Sequence, residues 1–443
     1  MLINALSLKN FKCFEELDVK FAPITLLTGA NSSGKSSLIN AILAVLQTEQ
    51  FPFYLSPNGK YVNMGSFEEM VFGKVTEKEI SLKFNLQARR VKGYLMSYNT
   101  VWKYNNGLPI LTSLLVKNKI IELTAELDSE WYKVDLILPN NQRAEILQDQ
   151  FSLRRLNNTF KKLKIKGKFI SYDEGYLLSN TGTFSSANEM IKDFLIPALD
   201  AIRSISPNGL GIFSNALEIQ RFNYIGSSRQ LPERTYYQKA RAQLKIDTDG
   251  GGYIDQIIEW EETNPEKLED LNEIMQQIKL FTEIRSTKLK GGRFELNVKT
   301  TVKSDFASLT DVGFGVNQFL PIIVADLQLP EDSCLAISQP EIHLHPPVQA
   351  TFGNYLANQI KRTQKQYIVE THSEYLLNRI RLLLVTGELK SDDVRVLYFE
   401  NDGVKSTVYD IEFATDGQVK GAPQGFFDTY GIDIMNIAMN AVE

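Results

Sequence analysis

A chain of 443 residues with 43% hydrophobic content is long enough for a large core divided into two or three lobes. Its 48 basic and 53 acidic residues leave a net charge of −5, which excludes wholesale wrapping of nucleic acid and confines any basic surface to a local patch. Two cysteines far apart in sequence, Cys13 and Cys334, exclude a disulfide scaffold and read as reduced core residues, and no apolar run reaches the ~20 residues of a membrane helix.

In chain order, the opening Met1 to Phe14 lacks the basic-then-apolar layout of a signal peptide, so a cytoplasmic location is expected. From Leu2 to Phe21 apolar and polar residues alternate, predicting two short strands. Leu26 to Leu38 then reads LLTGANSSGKSSL. Gly29 and Gly34 bracket four residues and Lys35-Ser36 follows, the complete GxxxxGK[ST] phosphate loop. An apolar run, Ile24 to Thr28, precedes it, and a helix follows, with Leu38, Ile39, Ile42, Leu43 and Leu46 at helical spacing. A triphosphate needs many short donors and little side-chain bulk. The backbone N–H groups around Gly29, Asn31, Ser33, Gly34 and Ser37 supply them, and the helix N-terminus adds its partial positive charge. Lys35 brings a mobile charge to the outer phosphates, and the Ser36 hydroxyl is placed for a bridging magnesium ion. ATP and Mg2+ are therefore the expected cofactors.

The composition then changes. Between Ile80 and Leu178 several alternating segments, among them Ile80 to Phe84, Ile120 to Leu123, Lys133 to Leu138 and Leu163 to Ile170, predict an inserted antiparallel sheet. Arg154 to Lys168 holds seven basic residues and no acid, a pattern that could track a phosphate backbone. Its lysines alternate with Leu163, Ile165 and Phe169, which favours a solvated strand face. Ala187 to Arg203 and Tyr253 to Phe281 read as helices, Tyr224 to Tyr237 as an ordered loop, and Gly250 to Gly252 as a hinge. Within that loop Arg229 and Arg234 could reach phosphate or a partner carboxylate; surface ion pairing fits equally well. There is no internal repeat and no heptad run long enough for a coiled-coil arm.

A second cluster starts at Leu309, where the chain reads LTDVGFGVNQFLPII, then CLAISQPEIHLHP, then YIVETHSEYLL. Gly313, Gly315, Asn317 and Gln318 form a glycine-rich turn opening a helix; Cys334 to Ile337 and Tyr367 to Glu370 read as buried strands. All three histidines, His343, His345 and His372, fall in the last two motifs. Ligands of open parallel sheets sit at carboxyl ends of strands, which favours a functional His372.

This order of phosphate loop, long insertion, glycine-rich signature, Pro-Glu-x-His-Leu-His-Pro and Thr-His-Ser resembles the prokaryotic stand-alone AAA-family ATPases of ABC type, the branch of RecF, SMC-like heads and overcoming-lysogenisation-defect (OLD) proteins. The likeness is strong over Met1 to about Gln50 and Ser308 to about Phe399. Ala422 to Asp428, reading APQGFFD, resembles the C-terminal domain of uncharacterised function that many of these proteins carry. The resemblance implies an α/β fold, a P-loop NTPase of ABC head type with an inserted antiparallel β-rich region and a helical lobe. The implied organisation is a core from 1–50 and 298–400, the β-rich insertion at 51–185, a helical and signature-side lobe at 186–297, and a small C-terminal domain at 401–443.

Carried over by residue, the resemblance places Lys12, in Asn10-Phe11-Lys12, near the nucleotide phosphates. Gly313, Gly315 and Asn317 become a signature that caps the phosphates of a second subunit, so the implied partner is a second copy across the nucleotide face. His372 senses the terminal phosphate, and Gln339 and Glu341 occupy catalytic positions. The sequence departs from the pattern at Ser338 and Gln339, where the family places the acid of the magnesium water shell and the carboxylate that polarises attacking water. Ser338 thus holds a metal position without a carboxylate, and Glu341 and Glu370 are close enough in sequence to substitute in part. Three readings follow. The chain is an ATP-driven switch for a separate effector in antiviral defence or DNA maintenance, a non-hydrolysing assembly scaffold, or an active DNA-associated ATPase. A fused nuclease of the OLD kind is disfavoured, since the residues after Val394 to Glu400 contain no Asp-x-Asp pair.

Overall fold

The computed structural model describes residues 2–48, 55–88, 94–105, 108–117, 122–128, 131–137, 169–171, 178–179, 182–183, 221–237, 245–423 and 426. Strands β1 (Leu2–Phe11), β2 (Phe14–Lys20) and β3 (Ile24–Gly29) lead into helix α1 (Lys35–Gln47). After a short helix, α2 (Phe67–Met70), come β4 (Ile80–Ala88), β5 (Tyr94–Asn105), β6 (Leu108–Lys117), β7 (Glu122–Asp128), β8 (Trp131–Ile137) and β9 (Phe169–Ser171). The hairpin β10 (Leu178–Ser179) and β11 (Gly182–Thr183) precedes β12 (Phe222–Ile225), β13 (Tyr236–Tyr237), α3 (Tyr253–Thr263), α4 (Pro265–Gln277), β14 (Glu283–Lys288), β15 (Arg293–Lys299) and β16 (Ala307–Ser308). The last run is α5 (Phe314–Gln328), β17 (Cys334–Ser338), α6 (Pro346–Thr363), β18 (Gln366–Glu370), α7 (Glu374–Val385), β19 (Val394–Asn401), β20 (Ser406–Phe413) and β21 (Val419–Lys420).

The chain divides into two compact units. One draws on 1–20, 36–221 and 402–406, the other on 21–35, 222–401 and 407–443. The first is built on an eight-stranded antiparallel sheet in the order β2-β1-β4-β5-β6-β7-β8-β9. Its strands alternate as the sequence predicts. In β4, Ile80, Leu82, Phe84 and Leu86 are buried while Lys83 is exposed, the signature of a sheet with one apolar face. The expected inserted sheet is therefore present, and it is continuous with β1 and β2 from the chain's start. The helix predicted at Ala187 to Arg203 and the basic run from Arg154 to Lys168 lie outside the described residues.

The second unit holds a seven-stranded sheet in the order β12-β17-β18-β3-β19-β20-β21. The neighbours β12, β17, β18, β3 and β19 are parallel. Every residue of β3, β17 and β18 is buried, as parallel strands covered on both faces require. Helix α5 is buried from Val316 to Leu327, almost all the way round, so it runs through the core rather than over it. Asp326 near its end accepts hydrogen bonds from the Tyr355 and Tyr367 hydroxyls and pairs with Lys365 at 3.1 Å, so a buried carboxylate fastens α5 to α6 and β18 with its charge compensated.

Two expectations change in this unit, and a third gains its local geometry. The helix read from Tyr253 to Phe281 is two helices, because Pro265 cannot continue α3 and forces Asn264 to an extended φ of −147° before opening α4. Tyr224 belongs to strand β12 rather than to a loop; a four-residue run is too short for its period to show. Gly250 to Gly252 form a hydrogen-bonded turn, Gly250 N–H donating to Asp247 O at 2.8 Å, with Gly252 at φ +89° leading into α3. Of the cysteines, both free, Cys334 is buried in β17 as expected, whereas Cys13 is only half-buried.

Candidate functional site

The carboxyl ends of β3, β17 and β18 come together because these strands are parallel neighbours, bringing Gly29, Ser338 and Glu370 to one edge. Gly29 is required where it stands. It has φ +132°, and a Cβ there would meet the Phe399 carbonyl of β19 at 2.2 Å. The loop beyond it turns at Ser32 (φ 59°) and Gly34 (φ 106°). Lys35 is buried, and its ammonium donates to the carbonyls of Gly29 at 3.0 Å and Ala30 at 2.6 Å. Burial lowers its pKa from the ordinary 10.5, while Glu370 and then Glu341 oppose that shift. Ser33 Oγ is buried with no hydrogen-bond partner among the described residues, whereas Asn31 and Ser36 are exposed and Ser37 half-buried. A loop with an inward-turned lysine, two left-handed turns and an unused buried hydroxyl has the donor set that a phosphate chain takes, and Ser36 next in the chain keeps a hydroxyl for a hard cation.

At the end of β17 the buried Ser338 hydroxyl donates to Glu370 Oε2 at 2.8 Å and lies 3.1 Å from the Tyr224 hydroxyl. Gln339 has φ +48°, and its N–H donates to the Glu370 carbonyl at 2.7 Å. Arg229 fixes this turn. It is buried, and Nη2 donates to the carbonyls of Ser338 at 2.6 Å and Gln339 at 3.2 Å, while Nε and Nη1 find no acceptor among the described residues. Burial brings its pKa down to about 10, with Glu341 opposing. Arg234 differs: it forms an exposed ion pair with Asp311 at 2.6 Å.

Glu341 reaches across to the Thr-His-Ser segment. Its Oε1 accepts from His372 N–H at 2.7 Å and its Oε2 from the Thr371 hydroxyl at 2.9 Å. Burial nevertheless raises its pKa above the ordinary 4.5. Both oxygens are thus engaged in holding the segment that presents the exposed His372. Burial, then the nearby Lys35 charge, lower the His372 pKa from the ordinary 6.5, while Glu370 opposes. Ser373 caps α7, accepting from Leu376 N–H at 3.1 Å.

The other residues singled out from sequence have contacts of their own. The Lys12 ammonium donates to Met64 O at 3.1 Å within the antiparallel unit. Gly313 opens α5, with nothing within 4 Å of a Cβ built on it. Gly315 is tight, a Cβ there meeting His343 O at 2.7 Å. Asn317 is buried and its amide donates to Leu309 O at 3.0 Å, so its side chain faces its own core rather than the surface where a partner would be capped. Tyr224 was not legible as a site residue, and the only hint of Arg229's place was its basic charge in a loop after an apolar run. Among the described residues no group of three or more His, Cys, Asp or Glu forms a metal cluster, and no helix is long and apolar enough to cross a membrane.

Comparison with known proteins gives three kinds of match. The AAA ATPase domain family model covers residues 1–377. A 45-residue stretch is 38% identical to the OLD nuclease of Thermus scotoductus (strain ATCC 700910 / SA-01); it is 10% of this chain and 8% of that protein, so the chain matches only a small part of this relative's length. Among solved structures, the SMC head domain from Thermotoga maritima is 13% identical with a TM-score of 0.43, covering 93% of this chain and 100% of that one. An SmcHead bound to the C-winged helix domain of ScpA is 13% identical with a TM-score of 0.45, covering 93% and 98%.

Proposed function

We propose, from the premise that this chain belongs to the AAA ATPase domain family, that it binds ATP with magnesium at the Gly29 to Ser36 loop and uses the nucleotide to pair with a second copy, switching or scaffolding a separate effector. The observation that carries the reading is the buried Lys35 ammonium, turned into a glycine-bounded loop at the carboxyl end of a central parallel strand. Lys35 and the loop N–H groups would bind and orient the phosphates, His372, held by Glu341, would act on the terminal one, and Ser36 would help hold the cation. Magnesium, when bound, neutralises charge on the phosphates.

Turnover is slow in this reading. The positions following β17's apolar run are Ser338 and Gln339, neither a carboxylate, and Glu341 spends both oxygens on the Thr371 and His372 segment. Loss of a general base typically costs roughly 10²–10⁴-fold in rate. Binding survives better than hydrolysis, which suits a switch or scaffold in antiviral defence or DNA maintenance; given the net charge of −5, a nucleic acid would be bound only through a local basic surface. The test is thermal unfolding with and without Mg-ATP. The unmodified chain is expected to gain about 2.7 kcal/mol at ~100 times the Kd, and Lys35→Ala to gain nothing. Equal stabilisation of both would remove the loop from the function.

A further inference from the structure

Glu370 and Ser338 stand as partners in register at the ends of adjacent parallel strands, β18 and β17. Their side chains meet, Ser338 Oγ donating to Glu370 Oε2 at 2.8 Å. Ser338 is almost wholly buried, and the Tyr224 hydroxyl backs it at 3.1 Å, so the donor is held from behind. On its other side β18 pairs with β3, Glu370 opposite Leu27, two residues before Gly29. In the sheet order, β17 is separated from β3 by β18, so Glu370 sits one strand nearer the phosphate loop than Ser338 does. Of the carboxylates acting on the Lys35 ammonium, Glu370 acts most strongly, and it acts on His372 as well. Glu341, the other candidate, has both oxygens engaged by Thr371 and His372.

We propose that the acid serving magnesium in this protein has moved one strand over, from the end of β17 to the end of β18. Glu370 holds the ion's water shell, and Ser338, keeping the position where an acid is expected, is the positioning residue that aims the Glu370 carboxylate. The inference rests on the proposed ATP and magnesium site. Its logic is geometric: a hard cation needs an anionic oxygen beside the phosphates, Ser338 offers only a neutral hydroxyl, and that hydroxyl is already committed to Glu370. A carboxylate that holds the water shell of a bound ion is an outer-shell group, and losing such a group typically costs about 10–100-fold in metal affinity.

The measurement is ATP affinity of the full chain with magnesium and with excess EDTA, by calorimetric titration; the ratio of the two gives the magnesium coupling without reference to turnover. Glu370→Gln keeps an acceptor for Ser338, and is expected to cut the coupling about 10–100-fold while leaving the affinity in EDTA no weaker than that of the unmodified chain, since the lost carboxylate no longer opposes the phosphates. Glu370→Thr should do the same, and adding Ser338→Asp to it should restore most of the coupling by returning the acid to β17. Thermal unfolding of each variant checks that it is folded. Unchanged coupling in folded Glu370→Gln would overturn the assignment, because the Ser338 bond would then be an ordinary buried contact. Failure of the Ser338→Asp, Glu370→Thr pair to recover coupling would overturn the transposition. Failure of the site reading itself has a separate sign: the unmodified chain and Lys35→Ala would bind ATP equally in EDTA.

Discussion

At the scale of single residues, the site is a set of groups whose charges are played against burial. Glu341 shows the sign most plainly. Burial raises its pKa above 4.5, opposed by hydrogen bonds from His372 and Thr371 and by the Arg229 charge, so the folded chain holds its proton more tightly than the unfolded one. A raised carboxylate contributes stability that is fully present below 4.5 and is lost as pH rises through its folded value. Glu341→Gln, which cannot ionise, escapes that loss. The stability gap between the two, measured by urea unfolding across the acid range, is expected to shift in favour of the glutamine variant as pH climbs from below 4.5 toward neutral. A gap independent of pH would show that the hydrogen bonds and the Arg229 charge balance burial, and a gap that moves toward the unmodified chain as pH climbs would show that they outweigh it. Much of this level was legible in sequence: the phosphate loop announced Lys35, and the missing acids at Ser338 and Gln339 stood out as non-carboxylates. What sequence could not supply was pairing. That Ser338 faces Glu370, 32 positions away, depends on β17 and β18 being in-register neighbours, and that Arg229 closes over both carbonyls depends on β12 lying beside β17.

At the scale of elements, the motifs are joined by close packing within one unit. The start of α5 rests against the loop after β17: the Phe314 ring meets His343 edge to face at 4.8 Å, and Gly315 leaves no room for a Cβ beneath His343 O. Gly315 therefore has a steric reason within the chain itself. Gly315→Ala is expected to cost about 1–3 kcal/mol, the range for forced overpacking, read as a lower urea midpoint with unchanged slope. No loss would mean that the His343 to Leu344 loop yields freely. Elements with a long, clean period were readable from sequence, such as β4 with its alternating apolar residues and α1 with its helical stripe. The elements misread were those where a local event overrides the period. Pro265 breaks one helix into two, and β12 is too short to display alternation at all.

At the scale of the whole molecule, the two signature glycines part company, and that difference is a test of pairing. Gly315 is explained by close packing in its own subunit, but Gly313 is not: its φ of −54° is ordinary, and a Cβ there meets nothing within 4 Å. Glycine serves there as the N-cap of α5, and its lack of a side chain leaves open space into which an outside group can come. In the proposed dimer the outside group is the nucleotide held by a second copy, which closes on the N-terminus of α5. Gly313→Arg adds bulk into open space, at a cost of about 1 kcal/mol for replacing a favourable N-cap residue at a helix start. It is expected to leave ATP affinity of the isolated chain within about twofold, since each 1.4 kcal/mol is tenfold, and to abolish the doubling of mass that a slowly hydrolysed ATP analogue induces in light scattering. Gly315→Ala cannot make this separation, because its effect begins inside the monomer. If Gly313→Arg still doubles in mass on binding the analogue, the paired state does not use the start of α5, and a different surface must join the two copies.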